Sequence, residues 1–141
     1  MAGRAVHVLL VEDNVIDQEA FRRAFQRERI GNPITTATDG LEALALLQGS
    51  HGADPLGRPY LILLDLNMPR MNGLEFLTAL RADPSLKDSV VFVLTTSRRD
   101  EDRVASYDLN VAGYIVKSDV GAGFVRLIAL LDHYSRVVEL P

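Results

Sequence analysis

The segment LILLDLNMPRMNG at residues 61–73 joins an apolar run to a carboxylate, Asp65, and then to a loop containing a proline and a final glycine. An all-apolar run of this length is typical of a strand buried on both faces of a parallel sheet. In open α/β folds, ligands bind beyond the carboxyl ends of such strands. The segment therefore predicts a buried third strand with a candidate functional residue, Asp65, at its end.

Short apolar runs alternate with longer segments of helical period along the rest of the chain. This alternation predicts five βα units around a parallel sheet. We expect an α/β fold of the doubly wound, flavodoxin-like type, with a five-stranded sheet in the order 2-1-3-4-5. The glycine- and proline-rich stretch at 49–59 is expected to be a long surface loop. The predicted strands are 6–11, 33–38, 60–66, 89–97 and 112–117, and the predicted helices are about 15–29, 39–48, 73–83, 99–110 and 120–136.

Two of the predicted helices carry additional signals. In the second helix, Asp39 is placed to cap the start and Gly49 to end it. In the first helix, apolar side chains recur at helical spacing and are expected to face the core. These side chains are Ile16, Ala20, Phe21, Ala24 and Phe25.

Length and composition limit the possible classes of function. The 141 residues, 48% of them hydrophobic, favour a single domain spanning 1–141, with a core at about 6–134 and a tail at 135–141. A net charge of -4 argues against binding to nucleic acid. The absence of cysteine excludes disulfides and thiolate metal sites. Because no run reads as a signal peptide or a membrane span, we expect a cytoplasmic protein without membrane contact.

Polar side chains follow the predicted strands where each strand ends. Glu12 and Asp13 follow the first strand, and Asp65 ends the third. Thr95 ends the fourth strand and Lys117 the fifth. Because the carboxyl ends of parallel strands meet at one edge of the sheet, we expect these side chains to converge.

Each of these residues also has an ordinary structural explanation. Asp13, with Asn14, could cap the first helix. Thr95 could be a strand threonine, Tyr114 a core aromatic and Lys117 a surface lysine. None of these explanations accounts for three clustered carboxylates, which repel one another unless a cation or a lysine offsets their charge. The cluster therefore predicts a bound cation.

Oxygen ligands in an incomplete set are typical of Mg²⁺, which keeps several waters when bound to protein carboxylates. We expect Asp13 and Asp65 to be direct ligands and Glu12 to be a ligand through water. The backbone carbonyl of Asn67 would supply a further oxygen. Mn²⁺ is expected as a substitute for Mg²⁺.

The same residues belong to a pattern that runs along nearly the whole chain. It comprises the acidic pair Glu12 and Asp13, Asp65 with Asn67, Met68, Pro69 and Gly73 behind it, and Thr95, Tyr114 and Lys117. In strand-end position and spacing, this pattern resembles the receiver domain of two-component response regulators.

The resemblance implies that Asp65 accepts a phosphoryl group from a phosphohistidine on a sensor histidine kinase. Mg²⁺ and the ammonium group of Lys117 would neutralise charge on the transferring oxygens. The chain would be a signalling protein rather than an enzyme, with at most slow self-catalysed phosphorylation and dephosphorylation. Asn67 and Ser97 stand at positions that tune these rates in the family.

The resemblance also implies a conformational switch. Thr95 would donate a hydrogen bond to the phosphoryl group, draw the loop after strand four inward, and allow Tyr114 to follow. The altered surface would comprise helix four, strand five and helix five. Because the chain ends soon after the fifth helix, output is expected through contact with a downstream protein.

Details of the chain resemble single-domain regulators that are paired with phytochrome-like histidine kinases. These details are the 49–59 loop, the Lys117-Ser118 pair and the VVELP ending. A phosphorelay intermediate outside phytochrome signalling is the alternative. Receivers usually have a cis proline where this chain has Ser118, so the geometry of that peptide stays open.

A homodimer is a further expectation, formed either through helix four, strand five and helix five or through the C-terminal tail. The apolar tail residues Val137, Val138 and Leu140 would pack against a second subunit. The alternative is a frayed terminus.

Two other classes of protein would share parts of this pattern. An aspartate-nucleophile phosphohydrolase needs a second acid two positions after Asp65, where this chain has Asn67. A flavodoxin-like cofactor binder needs a phosphate-binding loop after strand one, where Glu12 and Asp13 would repel phosphate.

Overall fold

In the computed structural model, the described residues are 6–27, 31–49, 54–117, 129–131, 133–134 and 137–141. Five parallel strands form one sheet in the order β2-β1-β3-β4-β5, as predicted. The strands are β1 (His7–Val11), β2 (Ile34–Ala37), β3 (Tyr60–Leu64), β4 (Val90–Thr95) and β5 (Gly113–Val116). The helices are α1 (Val15–Arg27), α2 (Gly40–Gln48), α3 (Gly73–Ala82) and α4 (Asp100–Asp108).

Most of the predicted fifth helix, 120–136, lies outside the described residues. Residues 129–131 and 133–134, which are described, are helical. Within the described ranges, no helix has both the length and the apolar character that crossing a bilayer requires.

Several predicted strand and helix ends were too long. β3 ends at Leu64, because Leu66 already accepts a hydrogen bond from the amide of Gly73 and the chain turns there. β4 ends at Thr95 rather than at residue 97. α4 ends at Asp108, and Asn110 follows with a φ of 60°, in the left-handed region that does not continue a helix.

The two predicted caps of α2 are confirmed. The side chain of Asp39 accepts a hydrogen bond from the amide of Glu42 at 2.9 Å. Gly49 adopts a left-handed φ of 74°, which glycine accommodates without a steric penalty. α3 begins with a reciprocal capping box between Asn72 and Glu75.

The core lies on both faces of the sheet, because alternate strand residues point to opposite sides. One face buries Leu9, Ile62 and Leu64 against Phe76 and Leu80 of α3. The other face has a separate buried cluster packed against α1. That cluster includes Val8, Leu10, Leu61, Leu63, Phe21, Ala24, Phe25 and Phe92.

The predicted apolar stripe of α1 is wrong at its first two positions. Phe21, Ala24 and Phe25 are buried, but Ala20 is exposed and Ile16 is 78% exposed. The first turn of α1 lies at the carboxyl edge of the sheet, where Ile16 lines an open cavity instead of contacting the core.

Two residues near the C-terminus contribute to the protein's own core. Tyr134 stands edge-on to Phe92, with ring centroids 5.0 Å apart. Leu140 packs against the same cluster, which corrects the expectation that it serves a second subunit. Val137 and Val138 are exposed, to 78% and 39% respectively.

Arg81 of α3 ties the carboxyl end of α4 to the rest of the fold. Its guanidinium donates to the carbonyls of Leu109 at 2.7 Å and Asn110 at 3.0 Å. It also donates to the carbonyls of Lys87 and Ser89, both at 2.7 Å. One side chain thus satisfies four backbone acceptors in two loops and fixes those loops to each other.

Candidate functional site

Three carboxylates meet at the carboxyl edge of the sheet, as predicted. Each of Glu12, Asp13 and Asp65 offers an oxygen, and these oxygens all lie within 4.8 Å of one another. The neighbouring strands β1 and β3 place them there, since Val11 pairs with Leu64 in register and the next residues are Glu12 and Asp65. Glu12 and Asp65 are buried, whereas Asp13 is exposed.

Lys117, directly after β5, reaches the same cluster. Its ammonium nitrogen contacts a carboxylate oxygen of Glu12 and lies 3.8 Å from Oδ2 of Asp65. It also lies 3.1 Å from Oδ2 of Asp17. A surface position is therefore excluded for this lysine, whose side chain is only 20% exposed.

Asp17 was not among the sequence-predicted site residues. It lies in the first turn of α1, where its amide donates to the side chain of Asn14 at 3.1 Å. Acidic residues are common in first turns because they interact favourably with the helix dipole, so its type alone gave no functional signal.

Burial and neighbouring charges together raise the pKa values of both Glu12 and Lys117. Burial raises the pKa of Glu12 to about 7, and the charge of Asp65 adds to this, while Lys117 opposes it. Burial alone would lower the pKa of Lys117, but the bond to Glu12 and the charge of Asp65 outweigh it, so that this pKa is raised. Lys117 is therefore cationic at neutral pH.

The donor set fits a hard divalent cation. Three carboxylates and Asp17 carry more negative charge than the single ammonium of Lys117 can balance. Carboxylate oxygens completed by water are the environment that Mg²⁺ and Mn²⁺ accept in proteins. The amide of Asn67 donates to Oδ1 of Asp65 at 3.4 Å, which keeps Asn67 at the edge of the cluster.

The cluster forms the floor of an open cavity of about 550 Å³. Asn67 and Thr96 line its sides, together with the acids and Lys117. Two exposed apolar side chains, Val15 and Ile16, line its mouth. The cavity therefore combines an acidic floor with an apolar rim on α1.

Thr95 and Tyr114 are connected through the loop that follows β4. Thr95 is fully buried, and its hydroxyl accepts a hydrogen bond from the amide of Ser97 at 3.3 Å. The hydroxyl of Tyr114 donates to the carbonyl of Ser97 at 3.0 Å. Ser97 in turn donates to Asp102 of α4 at 2.5 Å. Ser97 is therefore hydrogen-bonded to residues of β4, β5 and α4.

Gly73 is required for the close approach of α3 to the site. A Cβ atom at this position would lie 2.6 Å from the carbonyl oxygen of Asp65 and 2.6 Å from Cα of Leu66. Both are backbone atoms, which cannot rotate away as a side chain can. The glycine therefore lets the chain fold back tightly behind Asp65.

The predicted site residues thus assemble largely as expected. Glu12, Asp13, Asp65 and Lys117 share one cluster, with Asn67 beside it. Thr95, Tyr114 and Ser97 form a separate hydrogen-bonded group. Ser118, and with it the geometry of the preceding peptide, lies outside the described residues.

Comparison with known proteins places these observations in a family. The sequence profile of the response regulator receiver domain matches residues 8–124. Response regulator Rcp1 of Synechocystis sp. is 40% identical over 111 residues, which make up 79% of this chain and 76% of that protein.

Two solved structures share the fold over almost the whole chain. The phosphorylated cyanobacterial phytochrome response regulator RcpA has a TM-score of 0.87 at 34% identity, covering 98% of this chain and 99% of that chain. The Mn²⁺-bound form of response regulator Rcp1 has a TM-score of 0.84 at 35% identity, covering 96% of this chain and 99% of that chain. The fold class predicted from the sequence is therefore confirmed.

Proposed function

We propose that this chain, which belongs to the family of response regulator receiver domains, accepts a phosphoryl group on Asp65 from a phosphohistidine of a sensor histidine kinase. The observation that carries the proposal is the position of Asp65, which directly follows the central buried strand β3 and lies beside two further acids and a lysine. A carboxylate is a modest nucleophile, so the site must align it with the donor and balance charge on the transferring oxygens.

Mg²⁺ is the proposed cofactor, with Mn²⁺ as a substitute. Asp13 and Asp65 would bind it directly, Glu12 through water, and Asn67 through its backbone carbonyl. When bound, the ion neutralises negative charge on the phosphoryl oxygens. The three clustered carboxylates support this assignment, since their mutual repulsion favours binding of a divalent cation.

Lys117 would bind an oxygen of the phosphoryl group on Asp65. Its ammonium is already held in the cluster, 3.8 Å from Asp65, so a small movement suffices. Burial in a partly dehydrated site strengthens this contact relative to a solvated lysine. Lys117 would therefore stabilise both the transfer and its product.

Thr95 and Tyr114 would transmit the state of Asp65 to the surface. A ligand shifts a conformational equilibrium only by interacting differently with the two states, and new bonds from Thr95 and Lys117 to the phosphoryl group would supply that difference. Movement of Thr95 would alter the position of Ser97, to which Tyr114 is hydrogen-bonded. The surface that changes would be α4, β5 and the predicted fifth helix.

The phosphorylated state would be transient, because an acyl phosphate is prone to hydrolysis. We propose that the chain catalyses its own phosphorylation from small donors, and its dephosphorylation, only slowly. Asn67 and Ser97 would tune these rates. The position of Asn67 supports this role, since its backbone amide donates a hydrogen bond to the carboxylate of Asp65.

The proposed kinase is phytochrome-like, and its phosphohistidine helix would contact the rim of the cavity on α1. The similarity to RcpA, a cyanobacterial phytochrome response regulator, supports this pairing. Val15 and Ile16 are 60% and 78% exposed beside the acidic floor, and exposed apolar groups at a functional site are typical of a protein interface. Burying them against a partner helix would release them from water.

The proposed setting is a cytoplasmic single-domain regulator, residues 1–141, that acts on a downstream protein. The same proposal includes a homodimer. It would form either through α4, β5 and the predicted fifth helix or through the tail. The exposed Val137 and Val138 support the tail as one possible contact.

Labelling with acetyl phosphate and Mg²⁺, or with a phosphorylated phytochrome-like kinase, tests the proposal. Wild-type protein should be labelled on Asp65, and Asp65→Asn should not be labelled. Asp108→Asn at the end of α4 removes an equal charge away from the cluster and should be labelled like wild type. Persistent labelling of Asp65→Asn at another residue would refute the assignment.

A further inference from the structure

An ion pair joins the loop behind Asp65 to the start of α2. Nε of Arg70 donates to Oδ2 of Asp39 at 2.6 Å, and a second guanidinium nitrogen contacts the same oxygen. The side chain of Asp39 is only 4% exposed, whereas that of Arg70 is 61% exposed. The other oxygen of Asp39 caps α2 through the amide of Glu42. The buried carboxylate of Asp39 therefore both caps α2 and binds the loop through Arg70.

Arg70 has an uncommon backbone conformation. Its φ of 62° lies in the left-handed region, which residues other than glycine, asparagine and aspartate rarely adopt. The next residue, Met71, accepts a hydrogen bond from the amide of Gly40 at 3.1 Å. A Cβ atom on Gly40 would lie 2.7 Å from Cγ of Met71. Two consecutive loop residues are thus held against the first residues of α2.

The charge state of Asp39 maintains the pair at neutral pH. Burial alone would raise the pKa of Asp39, but the bonds from the Glu42 amide and the Arg70 guanidinium outweigh it and lower that pKa. An ionised, buried carboxylate without its partner would be strongly unfavourable. The loop is therefore held by an interaction that the fold cannot easily release.

We infer that Arg70 is a positioning residue, which acts through Asp39 to fix the loop that presents the carbonyl of Asn67 to the cation. This inference rests on the proposed role of Asn67 as a ligand. Asn67 is three residues before Arg70, and the other end of the loop is closed by the bond from Gly73 to Leu66 at 2.9 Å. A segment so short between two fixed ends has little freedom, so its order is established before the cation binds.

Arg70→Gln in the full-length protein tests the inference. Mg²⁺ and Mn²⁺ affinity, measured by titration calorimetry, should fall roughly tenfold, as is typical when a group that orients a metal ligand is removed. Amide hydrogen exchange of residues 66–72 in the metal-free protein should become faster. A purely electrostatic effect would instead raise the affinity for the cation, because the variant loses a positive charge that repels it. Unchanged or tighter binding would therefore overturn the inference.

Matched variants separate this role from general stability. Asp39→Asn retains a capping side chain but loses the charge partner, and it should weaken cation binding as Arg70→Gln does. The double variant should be no weaker than the worse single variant, whereas additive losses would contradict a shared role. Arg70→Lys should recover part of the affinity.

Arg58→Gln supplies the control. It breaks an ion pair with Asp88, at 3.0 Å, near the amino end of β3, and should leave cation affinity unchanged. The two proposals can fail separately. Labelling of Asp65 with unaltered cation affinity in Arg70→Gln would overturn only the positioning role. Absence of labelling in wild type would overturn the proposed function, while the exchange rates would still report on the loop.

Discussion

Asp17 in the first turn of α1 forms an ion pair with Lys117, with 3.1 Å between Oδ2 and Nζ. The same ammonium lies 3.8 Å from Asp65, so the acid outside the cluster is closer to the lysine than the proposed phosphoacceptor is. A phosphoryl group on Asp65 must therefore compete with Asp17 for Lys117. Such competition would set part of the free energy of phosphorylation at Asp65.

Asp17→Asn should accelerate labelling by acetyl phosphate, because Lys117 is then released toward Asp65. A partly exposed ion pair contributes up to about 1 kcal/mol, which corresponds to an increase of roughly fivefold at most. Labelling rates at a fixed Mg²⁺ concentration would measure this increase. Glu19→Gln is the control, because it removes the same charge from the same helix but breaks a pair with Arg23 instead. Equal acceleration in both variants would show an effect of net charge only.

Lys117→Ala should abolish the response to phosphorylation while leaving Mg²⁺ binding at least as strong as in wild type. The reason is that the variant removes the cation that would contact the phosphoryl group, but none of the carboxylates that would bind the metal. Calorimetry with Mg²⁺ and a partner-binding or dimerisation assay with acetyl phosphate would measure the two effects. A marked loss of Mg²⁺ affinity would contradict the division of roles.

Glu12→Gln should change the pH dependence of stability in metal-free protein. Burial raises the pKa of Glu12 from 4.5 to about 7, so between these values the folded protein holds more protons than the unfolded chain. The free energy of unfolding of wild type therefore falls as pH rises through this window. The variant has no carboxyl to titrate and should be more stable than wild type above pH 7, by at most about 3 kcal/mol, the free-energy equivalent of this change in pKa.

Urea unfolding at several pH values between 4.5 and 8, with a chelator present, would measure this difference. The difference in free energy of unfolding between the two proteins should shrink toward pH 4.5, where the carboxyl of Glu12 is protonated in folded wild type. Mg²⁺ should stabilise wild type at pH 7.5 by binding the folded site. Parallel pH profiles for the two proteins would disprove the assignment to Glu12.

Gly73→Ala should destabilise the fold and impair labelling of Asp65. The added methyl group would meet backbone atoms of Asp65 and Leu66 at 2.6 Å, so the strand end itself must shift. Overpacking of this kind costs about 1 to 3 kcal/mol. Thermal unfolding and labelling rates would measure the two effects. Gly57→Ala, where the new methyl group meets nothing within 4 Å, should behave like wild type.

The cluster could be predicted from the sequence because topology converts strand ends into neighbours. Glu12, Asp65 and Lys117 are far apart in the chain, but each ends or follows a parallel strand, and all such ends meet at one edge. Gly73 was found as part of the family pattern, although the steric reason for it becomes visible only from the backbone atoms it approaches.

Other features depend on contacts that no local pattern encodes. Helical spacing predicted the buried face of α1 but not where the core beneath it ends, which is why Ile16 was misplaced. The partners of Asp17 and Arg70 lie on other elements of the fold, and charged residues in a first turn or a loop are too common to signal a partner. Leu140 was likewise misjudged, because the distance from the tail to the core depends on the complete packing.

The four carbonyl contacts of Arg81 have a mechanical consequence for the output surface. Two of them, to Leu109 and Asn110, anchor the carboxyl end of α4, while its amino end is attached through Asp102 to Ser97. A helix held at one end and pulled at the other would pivot rather than slide. Its displacement would be greatest at the first turn, so a downstream protein that reads this turn would sense the largest change in geometry for a given shift of Thr95.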